Sequence, residues 1–149
     1  MMRTVLALVF LSFFIQKSVA QPVVEKGKWE ENASGSGFGF WIPGLTHAIL
    51  YMTCDAGSGW IAVVQNNPRR PDRLMIMRSG KVEVRPLTRS GDGGLLGDYT
   101  ETMIPEGHAI FSRIAAGNSL SINSSIYPMR TVAERRGFSA FRATCVNDL

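Results

Sequence analysis

The stretch LMIMRSGKVEVR, residues 74–85, decides the class of this fold. A run rich in methionine and isoleucine and a run alternating valine with charge flank Ser79-Gly80. Two strand-like runs joined by two residues, with glycine where a positive φ is often needed, spell a β-hairpin. Closure over Ser79-Gly80 sets Met77 against Val82 and Met75 against Val84 on an inward face. The outward face then carries Arg78 opposite Lys81 and Ile76 opposite Glu83. Like charges directly opposite cost a little stability, so this register carries a small penalty.

Upstream, the pattern from Leu45 has period two. Ala48, Leu50, Met52 and Cys54 share one parity, and His47, Ile49, Tyr51 and Thr53 the other. A strand with these faces aims Cys54 toward a core with Leu50 and Met52. Residues 55–59 form a turn cluster, and residues 60–65 read as the returning strand. Before Leu45 lie a strand-like piece around Trp29, the run Ser34-Gly35-Ser36-Gly37, and the aromatics Phe38, Phe40 and Trp41. Residues 35–41 read either as a mobile docking loop or as a lid on the core.

Downstream, residues 90–98 (SGDGGLLGD) have the composition of a solvated loop. Pro105-Glu106 open a segment with Ile110, Phe111, Ile114 and Ala115 at helical spacing, closed by Gly117. Leu120 and Ile122 alternate in a short strand, and residues 126–132 suggest another. After Gly137, Phe138, Phe141 and Cys145 make one helical stripe that points the cysteine inward. No internal repeat is visible. The expected fold is mainly β: an antiparallel β-sandwich or barrel-like sheet with one or two short helices. A disulfide is expected to tie the C-terminal helix to a strand.

The first twenty residues read as an export signal. Arg3 supplies the positive start, residues 4–15 (TVLALVFLSFFI) the apolar run, and Ser18-Val19-Ala20 the small residues of a cleavage site. The run is short for a permanent spanning helix, and no later stretch approaches the ~18 apolar residues one needs. Cleavage makes Gln21 the new N-terminus and leaves residues 21–149 as a single β-rich domain without a membrane anchor. In an oxidising compartment Cys54 and Cys145 default to a disulfide. Closing a loop of about 90 residues is worth roughly 4–5 kcal/mol by chain entropy.

Sixteen bases against twelve acids give a formal +4; without Arg3 and Lys17, fourteen against twelve leave +2. A balance so mild does not point to nucleic acid. Two cysteines and two histidines are too few for a zinc cluster of the usual spacing, and no metal or other cofactor is expected. Ser90-Gly91-Asp92-Gly93-Gly94 lacks the Gly-Lys-Ser/Thr ending of a phosphate loop, and Asp92 and Asp98 miss the calcium-loop spacing. His47 and His108 adjoin no nucleophile signature, and the acids are scattered, so no catalytic residue is nominated. The triplets Asn32-Ala33-Ser34 and Asn123-Ser124-Ser125 are formal glycosylation sites.

One region departs from this even composition. Arg69, Arg70, Arg73, Arg78, Lys81, Arg85 and Arg89 face only Asp72 and Glu83. Arginine's planar fork suits a carboxylate or phosphate partner, which makes Arg69, Arg70, Arg78, Lys81 and Arg85 the candidate binding residues. The same charges also read as a solvated face that keeps a sheet edge unpaired.

Trp29, the strand ending in Cys54, the segment AIFSRIAAG with NSLSI, and the closing GFSAFRATC together carry a resemblance. Over its last ~40 residues the chain resembles the invasion-associated locus B family, and it is also similar to secreted accessory proteins of type VI secretion systems. The middle third matches neither. The resemblance implies a periplasmic or secreted bacterial protein without enzymatic activity, acting through an envelope protein or an anionic envelope component. Two alternatives stand beside it: a periplasmic inhibitor that inserts residues 90–98 into a cell-wall hydrolase, and a small hydrolase using His47 or His108.

Overall fold

A computed structural model of the chain describes residues 21–33, 35–67 and 75–146. The signal segment, Ser34, Leu74 and the arginines Arg69, Arg70 and Arg73 lie outside the described residues.

Two sheets enclose one core. The larger runs in the spatial order Lys28–Glu31 (β2), Gly37–Trp41 (β3), Leu50–Thr53 (β4), Trp60–Asn66 (β5), Asp98–Pro105 (β9) and Thr88–Asp92 (β8), with every pair antiparallel. The smaller runs Val23–Val24 (β1), Ser125–Tyr127 (β11), Leu120–Ile122 (β10), Met77–Ser79 (β6) and Val82–Val84 (β7). In it β1 lies parallel to β11 and the other pairs are antiparallel. Helices Ala109–Ala115 (α1) and Val132–Cys145 (α2) complete the core. The architecture is mainly β, with two helices and a strand-to-helix disulfide.

Alternation builds the interior, as the period-two pattern predicts. Leu50 and Met52 of β4, Ile61 and Val63 of β5, and Ile104 of β9 point inward. They meet Met75, Met77, Leu120, Ile122 and Tyr127 of the other sheet, with Phe111, Ile114, Phe138 and Phe141 from the helices. Trp29 stacks on Phe38 at 5.3 Å between ring centroids, and Phe38 in turn meets Phe138 at 5.5 Å.

Cys54 and Cys145 are bridged, with Cα atoms 5.7 Å apart across 91 positions of sequence. Cys145 is wholly buried at the end of the Phe138–Phe141 stripe, as its spacing required. The turn after β4 reinforces the link: the N–H groups of Gly57 and Gly59 donate to the carbonyls of Thr144 and Cys145. Those are carbonyls that a helix end leaves without intrahelical partners.

At its other end α2 grips an edge strand. Thr131 caps the helix and accepts from the Glu134 N–H at 3.0 Å. The Glu134 carboxylate accepts from the Trp29 N–H of β2 at 3.1 Å and from the Arg130 and Thr131 N–H groups at 2.7 Å each. The Arg130 guanidinium donates to the carbonyls of Gly27 and Glu25. An edge strand otherwise presents such groups as a template for pairing with another chain. Burial alone would push the Glu134 carboxyl up. The N–H groups of Trp29, Thr131 and Arg130 outweigh it and hold the group below its ordinary value.

Several local expectations are corrected. The hairpin closes over Gly80-Lys81, which pairs Met77 with Val84, Arg78 with Glu83 and Ser79 with Val82. Gly80 holds the positive φ of 58° that the turn requires. The shift preserves the inward parity and replaces a like-charge pair by an opposite one. Residues 37–41 are neither loop nor lid but the buried strand β3. Its glycines make room for neighbours: a Cβ on Gly37 would fall 2.0 Å from the Tyr51 hydroxyl oxygen.

Of the residues 90–98 expected as loop, 90–92 belong to strand β8 and Asp98 opens β9, with a short 3-10 turn at Gly94–Leu96 between them. Helix α1 starts at Ala109, because Pro105 still pairs with Trp60 at the end of β9. Strand β11 stops at Tyr127, before Pro128, and α2 begins at Val132, five residues ahead of Gly137.

Candidate functional site

The β6–β7 hairpin places part of the arginine cluster at an exposed tip. Arg78 on β6 and Glu83 on β7 are cross-strand partners, and Arg85 directly follows β7, two residues after Glu83. The Glu83 carboxylate accepts from Arg78 Nε at 2.6 Å through one oxygen and from Arg85 Nε at 2.7 Å through the other. Arg85 and then Arg78 hold the Glu83 carboxyl below its ordinary value. Each guanidinium spends its Nε on Glu83, which leaves the outer N–H groups of both forks for other partners, and Lys81 is exposed in the turn. Arg89 sits apart from this group, on β8, where it pairs with Glu101 at 2.6 Å. The structure therefore brings Arg78 and Arg85 together on one carboxylate, with Lys81 in the turn that joins their strands. It separates Arg89 from them, and Arg69 and Arg70 lie outside the described residues.

The histidines occupy different settings. His108 caps α1, with Nδ1 accepting from the Ile110 N–H at 3.2 Å. His47 precedes β4 with its Nδ1 buried and without a hydrogen-bond partner. Among the described residues no group of three or more His, Cys, Asp or Glu is placed to hold a metal ion.

The loop proposed for insertion into an enzyme cleft is braced internally. Asp92 Oδ1 accepts from the Gly94 N–H at 2.7 Å, and the Gly93 N–H donates to the Gly97 carbonyl at 2.8 Å. Leu95 stands fully exposed at its tip.

A cavity that sequence reasoning missed opens where the two sheets part. It measures about 290 Å3 and is lined by Glu25, Ile42, Leu45, His47, Ile49 and Gln65, with Asn66, Asn67, Ser125 and Tyr127. These residues come from widely separated segments. One signal was present: Gln65 follows Ile61 and Val63 at inward parity, where a polar side chain needs a reason. The Gln65 Nε2 group donates to the Tyr127 hydroxyl at 2.8 Å, and Asn66 Nδ2 donates to the Ala48 carbonyl at 2.8 Å.

No helix among the described residues is long and apolar enough to cross a membrane. Compared with known protein families, curated proteins and solved structures, the chain finds no match.

Proposed function

We infer that this is an exported protein of the bacterial envelope that binds an acidic partner protein and performs no catalysis. The observation that carries the reading is the hairpin tip, where one carboxylate holds two guanidiniums with their outer forks free. Pre-ordered forks lose less side-chain freedom when a partner carboxylate docks, which favours binding. A disulfide that closes most of the chain supports an oxidising compartment. The signal-like first twenty residues support export.

The test is cross-linking in the native envelope followed by recovery of the tagged protein. Wild type should yield one dominant partner, and the Arg78→Ala/Lys81→Ala/Arg85→Ala variant should lose most of it while keeping its fold. Equal recovery by both proteins would end the proposal.

Leu95 favours a second reading. A fully exposed leucine on a braced loop suits insertion into the cleft of a cell-wall hydrolase. Inhibition of a muramidase that Leu95→Asp abolishes would establish it, and failure to slow any such enzyme would dismiss it.

A further inference from the structure

We propose that the cavity between the sheets binds a single neutral sugar ring carrying an acetamido group, held by Ser125, Gln65, Asn66 and His47 against Ile42 and Leu45. Its size, about 290 Å3, lies at the lower end of ligand pockets and suits one ring rather than a chain.

The hydrogen-bonding groups are fixed in advance. Gln65 directs its amide nitrogen to Tyr127 and Asn66 directs its own to Ala48, so each presents its side-chain oxygen as an acceptor. Ser125 supplies a hydroxyl able to donate or accept. His47 lines the cavity beside them, with its Nδ1 buried and without a partner. An acetamido group needs this set: an acceptor for its N–H and a donor for its carbonyl. Its methyl and the C–H face of the ring need an apolar wall, which Ile42, Leu45 and Ile49 provide.

Charge disfavours an anionic ligand. Among the described lining residues there is no lysine or arginine to hold a carboxylate or phosphate. Glu25, the acidic residue of the lining, is buried and already has a partner within the protein.

The test is a titration of the exported, disulfide-closed protein with N-acetylglucosamine, followed by 1H–15N spectra. The side-chain amide signals of Gln65 and Asn66 and the backbone signals of His47 and Ser125 should shift together and saturate. Glucose, which lacks the acetamido group, and sodium glutamate should shift them less. Loss of one neutral hydrogen bond in Ser125→Ala should weaken binding about three- to tenfold. Leu45→Ser alters an exposed wall residue with little risk to folding and should weaken it severalfold. The Arg78→Ala/Arg85→Ala variant should bind as wild type does, which keeps this site separate from the hairpin. Absence of saturable shifts, an equal response to glucose, or unchanged affinity in Leu45→Ser would overturn the proposal.

Discussion

At Glu83 one carboxylate anchors two guanidiniums, and the sign of its shift gives the first prediction. Its pKa is lowered, so it stays ionised as the pH falls through the ordinary carboxylate range. Carboxyl 13C titration should place its midpoint below that range. Arg85→Ala and Arg78→Ala should each raise the midpoint, because both guanidiniums lower it. A midpoint unmoved by either change would show that the pairs do not persist in solution. Glu134 has the same sign and a structural consequence. Its lowered pKa stabilises the fold above the ordinary carboxylate range, and that contribution is lost as the pH falls through the folded value. Glu134→Ala strips an acceptor from three backbone N–H groups and should cost about 2–3 kcal/mol near neutral pH. In denaturant melts the deficit should shrink in acid; a deficit independent of pH would contradict the role given to the charge.

Among the elements, β4 was legible because Ala48, Leu50, Met52 and Cys54 alternate cleanly. The C-terminal helix was legible in part, since Phe138, Phe141 and Cys145 mark its stripe while Thr131 and Glu134 mark its true start. The hairpin was placed correctly, with its turn one residue and its register two residues off. The repulsion between Arg78 and Lys81 in the expected register was the clue, because moving the turn to Gly80-Lys81 sets Arg78 against Glu83. Strand β3 was hidden because Gly37 and Gly39 have low strand propensity, and what they provide is room for the Tyr51 ring of the neighbouring strand. Gly37→Val should therefore displace Tyr51, whose hydroxyl accepts from Asn32 Nδ2 at 2.8 Å, and cost about 1–3 kcal/mol. A thermal melt matching wild type would refute that reading of the strand. The cavity was barely legible for another reason: Gln65 at an inward position was its one signal, and tertiary structure alone brings Ser125 and His47 to it.

For the whole molecule, the disulfide joins the β4 side of the larger sheet to the end of α2, and the turn N–H groups beside it share that work. Replacing Cys54 and Cys145 together by alanine should cost about 2–5 kcal/mol. A loss well below 1 kcal/mol in a urea melt would mean that the turn hydrogen bonds hold the helix end by themselves. Export predicts that the protein recovered from its native envelope begins at Gln21, which terminal mass spectrometry reads directly. The central claim is that the molecule works through the hairpin tip. A photo-cross-linking residue placed at position 81 and, separately, at Met103 on the exposed face of β9 tests it in the cell. The account predicts one dominant adduct from position 81, lost when Arg78 and Arg85 become alanine, and none of that mass from position 103. No adduct from position 81, or the same adducts from both positions, would contradict it.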